Sequence, residues 1–239
     1  MSKQPQKILI LGRSGSGKSF SLHSLDPKKT AIINTDKQEL SFGNPGYNTV
    51  VADQASGAPD FNKSNMVNTD KMSSVVATFD AWEAREDIDT IVIDTLTHLI
   101  TADYVHNTIG KDFKSYQKMG KGVWMFLDKI RDSKKNVLVF GHIEHTFNDM
   151  GDRVLKMKTQ GKMIDAFEPE SYFTSLFYSE VVKDGEDINW QMKTLPTDVN
   201  DKVKSPAKIV EGTVVRALDA YEPNDMGAIL TKLSNFYAN

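Results

Sequence analysis

The stretch Gly12-Arg13-Ser14-Gly15-Ser16-Gly17-Lys18-Ser19 follows directly on the apolar run from Lys7 to Leu11, and it constrains this 239-residue chain more than any other feature. Its pattern is Gly, four residues, then Gly-Lys-Ser. The glycines stand where a backbone must turn tightly and present its N–H groups to a phosphate, Lys18 supplies a mobile cation, and Ser19 supplies a hydroxyl for magnesium. The flanks agree. An apolar strand precedes the loop, and Ser19-Phe20-Ser21-Leu22-His23 is expected to open a helix whose N-terminus favours an anion. Gly12, Arg13, Ser14, Gly15, Ser16, Gly17, Lys18, Ser19 and Phe20 are therefore the candidate nucleotide contacts.

A loop of this kind needs a parallel sheet behind it, and the chain carries the strands for one. Ile8 to Leu11, Ala31 to Ile33, Ile91 to Ile93 and Val137 to Phe140 are short apolar runs rich in β-branched residues, which read as strands buried on both faces. Between them, Met72, Val75, Val76, Phe79 and Trp82 recur at helical spacing, as do Val123, Phe126, Leu127 and Ile130. Strand alternating with helix predicts a doubly wound α/β domain. Residues 43–71, with GNPG and SGAP, read as an irregular insertion carrying one strand at Tyr47 to Val51. Tyr172 to Val182 and Ile188 to Lys193 predict a C-terminal β-hairpin turning at Lys183-Asp184-Gly185-Glu186, and a final helix spans 224–237 with Met226, Ile229, Leu230, Leu233 and Phe236 on one face.

Composition narrows the function classes. The chain has no cysteine, so a disulfide framework and a cysteine zinc site are both excluded. No apolar stretch is long enough for a membrane span, and the start MSKQPQK is not a signal peptide, which predicts a cytoplasmic protein. A formal charge of -3 gives no global attraction to nucleic acid, so any such contact must come from a local basic patch.

A magnesium–nucleotide site needs a carboxylate at the end of a neighbouring buried strand. Asp94, closing Thr90-Ile91-Val92-Ile93-Asp94, fits that role beside Ser19. A further carboxylate must orient water. Asp36 lies just past the strand Thr30 to Asn34, at the strand edge where open α/β sheets bind ligands, with Glu39 three residues on as the second candidate. The strand from Asn136 ends in Gly141-His142-Ile143-Glu144-His145, placing His142 where it can sense a terminal phosphate. Magnesium prefers oxygen ligands, which favours sensing over metal binding for this histidine. Downstream, the stretch 146–166 reads as a mobile loop, and between Arg153 and Ile164 it holds Arg153, Lys156, Lys158 and Lys162 and no acid. Those four cations are the candidate contacts to a nucleic-acid backbone.

Taken together, TAIINTDKQEL, TIVIDT and VLVFGHIEH resemble the catalytic, magnesium-binding and sensor strands of the RecA-like ATPases, and within these the phage recombinases of the Sak type. TFNDMGDRVLKMKTQGKMI stands in the place of their DNA-binding loop, and EPNDMGAILTKL is similar to a C-terminal element of the phage proteins. Two positions depart from the pattern. Position 36 is Asp where the family has Glu, and position 142 is His where RecA itself has Gln. The resemblance implies a RecA-like P-loop core of mostly parallel sheet with an added C-terminal hairpin, using ATP and Mg2+ and acting on single-stranded DNA in annealing or strand exchange. It also implies a homo-oligomer, a phage single-strand binding protein as a further partner, and the host cytoplasm as the setting. Lys183 or Lys193 could complete a neighbouring subunit's site. A P-loop kinase of a small metabolite and a nucleotide switch docking a protein are the alternatives, and the chain's few arginines, Arg13, Arg85, Arg131, Arg153 and Arg216, count against a kinase lid.

Overall fold

A computed structural model of the chain describes residues 4–51, 64–147, 150–160, 164, 166–198 and 201–238. Its centre is a run of strands, the inner ones buried on both faces. These are β1 (Lys7–Gly12), β2 (Thr30–Asn34), β3 (Thr49–Val51), β4 (Met66–Asn68), β5 (Thr90–Asp94), β6 (Asn136–Phe147) and β8 (Ser175–Asp184). All pair in parallel with their neighbours, in the order β3-β4-β2-β5-β6-β1-β8. The β8 edge is continued antiparallel by β9 (Asp187–Lys193) and β12 (Tyr221–Pro223). Alternation along β1 feeds two cores. Leu9 and Leu11 face one side with Val139 and Ile93, whereas Ile8 and Ile10 face the other with Ile32 and Phe140.

The first core is covered by α1 (Met72–Glu83), α2 (Leu96–Asn107) and α3 (Phe113–Asp132), and the second by α4 (Met226–Ala238) and a 3-10 turn over Ser19–Leu22. Thr95 caps α2 by accepting from the His98 N–H at 3.2 Å, and Asp112 caps α3 by accepting from the Ser115 N–H at 3.0 Å. The four strands and the α1, α3 and α4 stripes read from the sequence all form, most strands extending one residue beyond their apolar run. The expected helix after the phosphate loop is only that 3-10 turn, since Ser24, Leu25 and Asp26 already turn towards Pro27.

Other differences concern the insertion and the expected loop. Residues 43–71 contribute β4 as well as β3, although 52–63 lie outside the described residues. The stretch 146–166 is not a loop throughout. β6 runs on to Phe147 and pairs antiparallel with β7 (Arg153–Met157), a hairpin anchored by buried Met157, whose N–H donates to Glu170 Oε1 at 2.8 Å. A small separate hairpin of β10 (Ala207–Val210) and β11 (Thr213–Arg216) was not visible in the sequence.

Candidate active site

The phosphate loop connects β1 to the 3-10 turn and is held in shape from several sides. Gly17 has φ +89, and a Cβ there would lie 2.7 Å from Asn224 Nδ2 and 2.8 Å from the Trp190 ring, so glycine is required twice over. Asn224 Nδ2 donates to Gly17 O at 2.9 Å, and Ser179 Oγ of β8 donates to Ser16 O at 2.5 Å. Lys18 is buried, not solvent-facing, and its Nζ donates to Gly12 O at 3.0 Å and Arg13 O at 2.8 Å. Burial lowers its pKa, while the negative charges of Asp94 and Asp36 pull the other way.

Ser19 and Asp94 come together as the spacing predicts. Ser19 Oγ donates to Asp94 Oδ2 at 2.6 Å, with Asp94 itself buried. Its carboxyl is pushed up to about 6. Burial is the largest cause, the Ser19 hydrogen bond draws it back, the Asp36 charge pushes the same way as burial, and Lys18 opposes. Two close oxygens, one on a buried acid made costly by a second carboxylate, form a donor set that suits magnesium. Because the folded pKa lies above the ordinary 3.8, the ligand-free protein loses stability as pH rises from about 4 to about 6 and carries the whole cost above that. Asp94→Asn is therefore expected to raise the melting temperature of the ligand-free protein by a few degrees near pH 7.5, from about 1–3 kcal/mol, with no gain below about pH 4. The same variant loses magnesium-dependent nucleotide binding. Thermal melts across pH check this, and an unchanged melting temperature at neutral pH would contradict the burial cost.

Asp36 is brought to the same place by a staple between strand ends. The Thr35 N–H donates to Asp94 O at 2.7 Å, Thr35 Oγ1 donates to Thr95 O at 2.8 Å, and the Thr95 N–H donates to Thr35 Oγ1 at 2.9 Å. Asp36 Oδ1 is buried and accepts no hydrogen bond, with His98 Nδ1 of α2 at 3.5 Å. Its charge acts on Lys18, Asp94 and His142 alike. Glu39 is exposed, beyond Lys37, whose φ of +58 turns the chain away.

His142 pairs with Gly12 in the β1–β6 register. Burial lowers its pKa first, then the Lys18 charge, which together keep the imidazole neutral at neutral pH, while Asp36 and the Gly12 backbone oppose. The His142 N–H donates to Thr97 Oγ1 at 2.9 Å, and the Lys158 N–H donates to His142 O at 2.7 Å. Of the four cations expected to meet nucleic acid, Lys156 pairs with Glu144 at 3.2 Å across the hairpin, Arg153 Nε reaches His145 Nδ1 at 2.8 Å, Lys158 is exposed, and Lys162 lies outside the described residues. Arg13 Nη2 of the phosphate loop approaches His145 Nε2 at 3.2 Å, so the loop and the hairpin share a cationic rim. Of the two lysines suggested for a neighbouring site, Lys193 is buried against Asp201 at 2.6 Å and is unsuited to it, whereas Lys183 is exposed.

The sequence did not reveal Thr35, Thr97, His98, Ser179, Trp190 or Asn224, because each joins the site across a long sequence separation. A cavity of about 920 Å³ between α1, α2 and α3 includes Met72, Met119, Phe126 and Asp103. Its lining includes no residue of the phosphate loop.

A buried parallel sheet, a glycine-rich loop with Lys18 and Ser19 at the end of β1, and a carboxylate on β5 with β6 between the two strands define a RecA-like P-loop ATPase domain. A family model described as AAA domain matches residues 4–201, and the chain belongs to that family. A search of the curated proteins finds none similar. Among solved structures, the flagellar accessory protein FlaH from Methanocaldococcus jannaschii is 12% identical over 79% of this chain and 78% of that one, with a TM-score of 0.41. A KaiC-like protein from Pyrococcus horikoshii OT3 is 10% identical over 88% of each chain, with a TM-score of 0.42. Among the described residues, no helix is long and apolar enough to cross a membrane.

Proposed function

We propose that this chain is a magnesium-dependent ATPase whose nucleotide state controls a single-stranded DNA contact on the β6–β7 hairpin, serving annealing or strand exchange in the manner of the Sak-type phage recombinases. The observation that carries the ATPase part is the meeting of Lys18, the Ser19–Asp94 pair and Asp36 at the ends of β1, β5 and β2. Lys18 turns from its loop carbonyls to the terminal phosphate of ATP. Ser19 and Asp94 hold magnesium, which when bound neutralises phosphate charge. Asp36, with an oxygen that accepts no hydrogen bond, orients the attacking water, and neutral His142 contacts the terminal phosphate.

The DNA part rests on connectivity. β6 is continuous from His142 into the hairpin, and Lys158 is tied to His142 through the backbone at 2.7 Å, so a shift at the phosphate sensor reaches the hairpin cations directly. Lys156, its charge offset by Glu144, is a weaker contributor than Arg153 and Lys158. The test measures phosphate release with and without single-stranded DNA, together with salt titrations of DNA binding in ATP and in ADP. The expected results are DNA-stimulated turnover and tighter DNA binding with ATP. Arg153→Ala with Lys158→Ala is expected to weaken binding irrespective of base sequence and to reduce the salt slope by about 0.7 for each phosphate the variant no longer neutralises. Equal slopes in both proteins would remove the hairpin from the DNA site. Turnover that needs a small-molecule acceptor would favour the kinase reading, and tight ATP binding without turnover the switch.

A further inference from the structure

The β8–β9 hairpin exposes apolar side chains where it passes the phosphate loop. Val181, Ile188 and Trp190 are 53%, 63% and 40% exposed. The register sets Val181 opposite Trp190 and Lys183 opposite Ile188, and strand alternation then places all four on one face. That face meets the loop. Trp190 Nε1 donates to Gly15 O at 3.2 Å, the Trp190 and Phe20 rings lie 5.4 Å apart, and Phe20 stacks on His23 at 5.0 Å.

The direction of the nucleotide follows from the strand order. Asp94, Asp36 and His142 sit on or just beyond β5, β2 and β6, all on one side of β1, and they mark the terminal-phosphate end. The nucleoside of a triphosphate lying along the loop leaves towards the other neighbour of β1, which is β8 with β9 beyond it. An aromatic surface next to the loop, open to solvent and on the nucleoside side, suits the flat apolar face of a base. We infer that Trp190 and Phe20 form the platform on which the purine base of the nucleotide stacks, a role that rests on the ATP reading of the loop. The C-terminal hairpin then sets nucleotide affinity as well as extending the sheet.

The competing account is that Trp190 only props the loop through Gly15 and Gly17. Comparing a ligand that has a base with one that lacks it separates the two. Calorimetric titration of the full chain with MgADP and with magnesium pyrophosphate is run on wild type, Trp190→Ala, Trp190→Phe and Phe20→Ala. Base stacking predicts that Trp190→Ala and Phe20→Ala each weaken ADP about tenfold more than they weaken pyrophosphate, in line with the loss of a base–aromatic stack. Trp190→Phe keeps a ring and loses the N–H to Gly15, and it is expected to hold ADP within about threefold. The platform is overturned if the alanine variants weaken both ligands equally, or if they leave ADP unchanged. Wild type binding neither ligand would instead overturn the phosphate-loop reading, and the platform with it.

Discussion

Lys18→Ala is expected to cut ATP hydrolysis by at least about 100-fold while leaving the melting temperature within a few degrees of wild type. The ammonium is buried among two carboxylates, and Asp94 and Asp36 both favour its charge against the cost of burial. Removing it takes away the buried ammonium that can follow phosphate charge as it develops, and an alanine methyl replaces none of that. The structural loss is small. The two hydrogen bonds to Gly12 O and Arg13 O are local to the loop, and their loss is offset by relief of the desolvation of a buried cation. The fold is carried by the two cores on either side of the sheet, which Lys18 does not join. Phosphate release and thermal melts measured together check both halves. Turnover within tenfold of wild type would remove Lys18 from the chemistry, and a collapsed fold would make its role structural.

How far the sequence revealed the site depended on where each residue's partners lie. The loop, β1, β2, β5 and the start of β6 were legible because a strand buried on both faces must be apolar at every position, and such runs stand out against polar flanks. Asp94 and His142 are the first polar side chains after their runs, and Asp36 is the first acid after its own, following Asn34 and Thr35. α2 was missed because its buried residues, Leu96, Thr97, Leu99, Ile100, Ala102 and Asp103, include polar ones and make no clean stripe. β7 does not stand out as a strand because Arg153 and Lys156 bracket its apolar pair, and the register that places Lys156 on Glu144 is a property of the hairpin, not of either strand. The contacts that brace the loop, Ser179 to Ser16, Trp190 to Gly15 and Asn224 to Gly17, exist because β8 crosses over to lie beside β1. No local pattern encodes that crossover.

The sharpest test of the catalytic assignment separates the two carboxylates that follow β2. Asp36 sits where the Thr35–Thr95 staple presents it to Lys18, Asp94 and His142, whereas Glu39 is exposed beyond the left-handed turn at Lys37. Asp36→Asn keeps the size and removes the base. It is expected to bind MgATP within about threefold of wild type, because the phosphate and metal ligands are untouched, and to lose about 100-fold or more in turnover, the usual scale of a positioned general base. Glu39→Gln is expected to leave both unchanged. The decisive measurement is phosphate release from enzyme saturated with MgATP for wild type and these two variants. Release is expected to fall about 100-fold or more with Asp36→Asn and to continue unchanged with Glu39→Gln. Release that continues in Asp36→Asn and stops in Glu39→Gln would contradict this assignment.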